Sequence, residues 1–251
     1  MKKITLLILS LSLCLAGWSQ TLNQNASWPN TNWSVTGTFN TNPLAFESDP
    51  TSTANFAFDD DDAGGGSDDQ IAAESPIIDL TAAFTAGETW VTISGNFVYN
   101  YNNSDILQFE YWDADASTWN IIGTPINADT AGAPTNNFCA GTTEAYTTDV
   151  LDVVGFTPTQ LSGFRYRIYW DDSTSGAAWQ WGFCFDAPTI TSATPPSCIN
   201  VSSVTIDSVT SDAITVSWSE NNTPAGTAWE VVAVPGGDPA PVAGTSNATT
   251  N

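Results

Sequence analysis

The segment "FDDDDAGGGSDD", Phe58 to Asp69, carries six aspartates and three consecutive glycines in twelve residues with no cation among them. Adjacent carboxylates at a strand end repel one another unless a cation joins them, and calcium takes about six to eight oxygen ligands from carboxylates, carbonyls and water. The segment is not an EF-hand: in that spacing Gly64 would have to be Asp or Asn, and no glutamate follows at the required distance. It also lacks the glycine and aspartate repeat of calcium-binding β-helices. Coordination therefore needs a ligand from elsewhere in the chain. Asp186, just after a late strand, is the expected partner of Asp60 and Asp62, with Asp59 and Asp61 as further candidates for bound Ca2+. The alternative is an acidic loop whose charges stay solvated and whose glycines allow positive φ.

Tryptophans are the second group with chemical potential. An indole face stacks on a pyranose ring as it does on other apolar surfaces, and Trp112, Trp119 and Trp179 fall near strand ends or turns. They are the candidate ligand-binding residues, against the alternative that they fill or cap the core. A glycosidase needs only two carboxylates, and Glu110 with Asp172 is one arbitrary pair among many.

The absences narrow the chemistry further. Lys2 and Lys3 precede the apolar run "ITLLILSLSLCLA", and Gly17 and Ser19 are small residues before Gln20, so residues 1–19 read as a secretory signal peptide. A lipoprotein reading of Cys14 would need a small residue before the cysteine, where Leu13 stands. The mature chain keeps Arg165 and Arg167 as its only cations against 27 acidic residues, and it has no His and no Lys. Such a chain builds no histidine zinc site, Ser-His-Asp triad, Schiff base or lysine phosphate loop. Its charge argues against nucleic acid and against anionic membranes, and no later segment is apolar enough for membrane insertion. The expected setting is the cell exterior or surface.

The elements that must position these residues are strands. From Gln20 to about Thr194 apolar residues alternate with period two. In "WVTISGNFVYNY" Val91, Ile93, Phe97, Tyr99 and Tyr101 share one face, and in "DILQFEYW" Leu107, Phe109 and Tyr111 do. The two runs together read as a hairpin. In "FRYRIYW" Phe164, Tyr166, Ile168 and Trp170 face the core and both arginines face out, where a cross-strand pair with Glu110, beside Gln108, is expected. "WQWGFCFDAPTI" puts Trp179, Trp181, Phe183 and Phe185 on one parity. Short strands between Gly, Asn and Pro turns predict an all-β, antiparallel sandwich with jelly-roll topology over residues 20–194. Three cysteines survive signal removal, Cys139, Cys184 and Cys198, and of three possible pairings Cys139 with Cys184 is favoured, inside the larger domain.

"TSATPPSC" marks a break, after which residues 195–251 begin a second, immunoglobulin-like sandwich. Only 56 residues remain from Pro196, against about 100 for a complete domain of that architecture, so a truncated domain is expected. "SDAITVSWSE", with Trp218, and "WEVVAV", with Trp229, resemble the second and third strands of a fibronectin type III domain. That resemblance implies a spacer or adhesion module without an active site.

"FAFDDDDAGGGS", "AAESPIIDLTAA" and "FRYRIYWDD" leading to "WQWGFCFDAPTI" resemble the MAM-like jelly-roll, or choice-of-anchor, domains of secreted Bacteroidetes proteins. Here "FDAPTI" stands where that family has "IDN", so the aspartate is kept and its neighbour is not. The resemblance implies a non-catalytic adhesion module whose partner is an extracellular glycan or surface protein. The competing expectation is the non-catalytic N-terminal part of a larger secreted hydrolase, a glycosidase or peptidase.

Overall fold

The computed structural model describes residues 20–64, 68–102, 105–173, 180–195, 202–210 and 214–219. Two antiparallel sheets make up the larger unit, which ends at Thr194. In the first, β1 (Asn23–Asn25), β12 (Thr189–Ala193), β5 (Trp90–Asn100), β11 (Gly182–Asp186) and β3 (Asn55–Asp59) lie side by side, and β8 (Glu144–Thr147) and β9 (Leu151–Asp152) also pair with β5. The second has the order β2 (Ser34–Thr38), β4 (Gln70–Glu74), β10 (Tyr166–Asp171), β6 (Ile106–Asp113) and β7 (Thr118–Ile121). The all-β sandwich expected from the alternation is the fold observed.

The sheets face each other through aromatic rings. Phe58 and Phe183 of the first sheet meet Trp170 of the second at centroid distances of 5.3 and 6.1 Å, and Phe185 meets Phe109 at 5.5 Å. The inward sets read from parity are inward: Val91, Ile93, Phe97, Tyr99, Leu107, Phe109, Phe164, Tyr166, Ile168 and Trp170 are buried, with Tyr101 and Tyr111 half-buried at the margin. Burying each such ring contributes about 1.5–3 kcal/mol, so the alternation dictates which face of each strand turns inward.

Strand partners are another matter. The expected hairpin between β5 and β6 does not form: β5 belongs to the first sheet and β6 to the second, where it pairs with β10 and β7. A short polar link after an alternating strand serves a sheet-to-sheet crossing as well as a hairpin, because both keep the inward parity. Trp181 also departs from its expected parity. It precedes β11 and packs with Ala57, Val98, Phe138 and Cys184 in a small cluster on the outer face of the first sheet.

That cluster carries the disulfide. Cys139, in the 3-10 turn Phe138–Ala140, is bonded to Cys184 of β11, with Cα atoms 5.2 Å apart. Cys198 lies outside the described residues. Pro76 interrupts the β4–β10 ladder because it has no N–H, and the Ser75 hydroxyl accepts a hydrogen bond from Tyr166 N at 3.0 Å before Ile78 N rejoins Phe164 O.

In the second unit the described residues form one hairpin, β13 (Ser202–Val209) with β14 (Ile214–Ser219). Val216 and Trp218 are half-buried while Thr215, Ser217 and Ser219 are exposed, the alternation expected of that strand. The run "AWEVVAVP" lies outside the described residues. No helix among the described residues is long and apolar enough to cross a membrane.

Candidate metal centre and the outer sheet face

Three strand ends converge at one end of the sandwich. β3 runs out at Asp59, and Asp60 opens a single helical turn, Asp60–Ala63. Asp69 immediately precedes β4, and Asp172 immediately follows β10, opposite it in the ladder that pairs Asp171 with Gln70. One carboxylate oxygen from each of Asp60, Asp69 and Asp172 lies within 4.8 Å of the others. The three residues are 3, 1 and 0 % exposed.

Backbone donors fix one side of this cluster. Asp69 N donates to Asp172 Oδ1 at 2.6 Å, Gln180 N donates to Asp60 Oδ2 at 2.8 Å, and Asn40 N donates to Asp69 Oδ1. Asp60 Oδ1 and Asp69 Oδ2 are buried and meet no hydrogen-bond donor. An ionised carboxylate accepts only, so such oxygens away from water are costly unless a cation or a proton satisfies them. Burial pushes the Asp60 carboxyl well above the usual range, and the nearby Asp172 and Asp69 charges add to the shift. Asp172 is raised too, chiefly by burial and then by the Asp69 charge. Next to them Asp59 is pushed up to about 7, again mainly by burial, with the charges of Asp62, Glu47 and Asp61 contributing. Both arginines are bound up on the outer face of the second sheet, with Glu74 and Glu110. Two oxygens on opposite sides of a calcium ion, each at about 2.3–2.6 Å, are about 5 Å apart, so oxygens within 4.8 Å of one another are close enough to share such an ion.

Close backbone approach makes the cluster possible. Gly182 sits opposite Asp59, and Asp60 N donates to Trp181 O at 2.8 Å. A Cβ at Gly182 would lie 2.1 Å from the Phe58 carbonyl oxygen and 2.7 Å from the Phe138 ring. Gly182→Ala is therefore expected to cost about 2 kcal/mol of stability through overpacking, read as a fall of about 4–8 °C in melting midpoint.

Of the ligands expected from sequence, only Asp60 is in this cluster. Asp62 is exposed and its N–H bonds Asp59 Oδ1 at 3.3 Å, capping the turn. Asp61 is half-buried and Asp59 buried, both outside the trio, because consecutive residues of a helical turn point in different directions. Asp186 pairs with Asn55, at the opposite end of the β3–β11 ladder from Asp59. Four residues of strand, about 13 Å, separate it from the acidic turn. Sequence reasoning did not place Asp69 and Asp172 in a cluster with Asp60. Their signal is position, since each directly abuts a strand end, in "SDDQIAA" and "IYWDD".

The outer face of the second sheet holds the tryptophans. Trp112 and Trp119 are cross-strand neighbours in edge-on contact at 5.4 Å, both half-buried, and neither belongs to the core. Trp179 lies outside the described residues. Arg165 stacks over Trp112 and Trp119 at 4.8 and 5.3 Å, and Arg167 over Trp119 and Tyr169 at 4.5 Å each. Arg167 Nε bonds Glu110 Oε2 at 2.5 Å, the expected cross-strand pair, and Glu74 of β4 joins both arginines at 3.6 and 3.7 Å. Glu110 thus belongs to this face. Asp172 lies five residues along from Arg167, about 16 Å of strand, beyond the separation that glycosidase carboxylates keep.

Fold and site together define a jelly-roll-like antiparallel β-sandwich with a buried acidic cluster at one end. No protein-family profile matches the chain, and no curated protein does. Among solved structures, a cleaved adhesin domain of Lys-gingipain from Porphyromonas gingivalis is similar at 14% identity and a TM-score of 0.37, over 68% of this chain and 98% of that one. A likeness of that size transfers neither ligand nor site.

Proposed function

We propose that this chain is an exported, non-catalytic binding module whose larger unit is held together by calcium. Asp60, Asp69 and Asp172 would hold the ion, with backbone carbonyls and water completing its shell. The observation that carries the reading is the convergence of three buried carboxylates from three strand ends, two of their oxygens without a donor. Calcium joins those ends and removes their mutual repulsion, which makes it a structural ion. The outer sheet face with Trp112 and Trp119 is the surface offered to an extracellular glycan or surface protein. The MAM-like resemblance supports such a module, and the fibronectin type III resemblance supports a spacer role for the second unit.

Isothermal titration of the mature chain with calcium tests the reading. One strong site is expected, absent from Asp60→Asn and Asp172→Asn. Tight binding that survives both substitutions would place the ion elsewhere.

A further inference from the structure

The two arginines on the outer face are held in different ways. Arg167 is locked by its 2.5 Å bond to Glu110, and its side chain is 16% exposed. Arg165 is positioned against two indoles that touch each other edge-on, and its side chain is 28% exposed. Its nearest carboxylate oxygen, Glu74 Oε2, is 3.6 Å away, outside hydrogen-bonding distance. The other Glu74 oxygen accepts from Thr36 Oγ1 at 2.6 Å, which fixes the carboxylate in place. Rigid indoles therefore hold a guanidinium with unspent N–H donors beside a fixed carboxylate acceptor.

We propose that Arg165 and Glu74, walled by Trp112 and Trp119, bind vicinal hydroxyls of a neutral polysaccharide. The inference rests on the reading above that this face takes a glycan, and it names the glycan's class. A sugar hydroxyl both donates and accepts, so two adjacent hydroxyls match a donor set beside an acceptor, while the indole edges left uncovered by the arginines flank the ring's apolar side. Charge selects the class. Arg165 and Arg167 offset Glu74 and Glu110, and Asp171 accepts from the Tyr169 hydroxyl further along β10, so the patch carries far less net charge than the rest of a mature chain with 27 acidic residues and two cations. A polyanion is repelled by the rest of that surface, and a polycation finds carboxylates everywhere else without needing this patch.

The test is affinity electrophoresis of the mature chain, with calcium present, against neutral xyloglucan, galactomannan and mixed-linkage β-glucan and against alginate and carrageenan. Retardation by at least one neutral polymer is expected. It should weaken about tenfold or more in Arg165→Gln and in Arg165→Lys, which keeps the charge but loses the planar fork. Melting midpoints measured alongside separate lost binding from lost folding, and the lysine variant serves where the glutamine variant fails to fold. Neutral-polymer binding unchanged in both variants overturns this inference and leaves glycan binding standing. Preference for the acidic polymers overturns the neutral class. No binding by the unsubstituted chain overturns the inference and the glycan reading together.

Discussion

Saturating calcium is expected to raise the melting midpoint of residues 20–251 by about 5–10 °C over the same protein in chelator. Calcium at about 100 times its dissociation constant adds about 2.7 kcal/mol, and a unit of this size shifts about 2–4 °C per kcal/mol. Asp60→Asn, Asp69→Asn and Asp172→Asn should each abolish most of the shift. In chelator the same variants are expected to melt at or above the unsubstituted protein, because a neutral amide removes a buried charge that repels its neighbours. This crossing, less stable with calcium and no less stable without it, distinguishes a metal site from an ordinary polar network. A calcium shift that persists in all three variants would refute the assignment of these ligands.

The pH dependence follows from the same carboxylates. Burial raises the folded pKa of Asp59 to about 7 from an ordinary value of 3.8. Between about pH 4 and 7 the folded state thus holds more protons than the unfolded one, and stability in chelator falls as pH rises through that window. Asp60 and Asp172 are shifted in the same direction and act with the same sign. Glu88, lowered chiefly by the Ser192 hydroxyl, acts oppositely: its contribution is present above an ordinary value of 4.5 and is lost as pH falls through its lower folded value. It therefore does not offset the loss on the way to neutrality. Calcium bound at the trio would have to displace the protons that burial favours there. Its stabilisation should therefore be largest at the high end of the pH range and fade as pH falls and protons return to the raised Asp60 and Asp172. Melting curves from pH 4 to 8, with and without calcium, measure both trends.

The disulfide carries the other large effect. Cys139 and Cys184 close a loop with a sequence separation of 45 residues. Chain-entropy reasoning assigns such a crosslink about 4 kcal/mol, so Cys139→Ser with Cys184→Ser should lower the midpoint by about 8–16 °C. Cys184 is buried among Ala57, Val98 and Phe138, and losing that packing works in the same direction. The bridge pins the Phe138 turn onto the outer face of the first sheet, whereas Asp69 and Asp172, two of the trio, stand at the ends of β4 and β10 in the second sheet. The calcium-dependent shift should therefore survive in the serine variant. Loss of both effects together would mean that the turn organises the acidic end.

Much of this molecule was legible in its residues, and the reason is local. Period-two alternation decides which face of a strand is buried, because one wrong step would expose a row of aromatic rings. That rule was sufficient for the inward sets of β5, β6 and β10, for the outward placement of Arg165 and Arg167 beside Glu110, and for the sandwich class. Parity is silent about which strand lies alongside. It could not tell that the link after β5 crosses between sheets, nor that Asp186 ends β11 at the far end from the acidic turn. Asp60 was visible because acidic crowding is a sequence property. Asp69 and Asp172 became its partners only through the antiparallel pairing of β4 with β10 and the packing of that ladder's end against the end of β3. Composition showed that aspartates crowd in this chain, but only the meeting of strand ends distant in sequence decided which three lie together in a buried cluster.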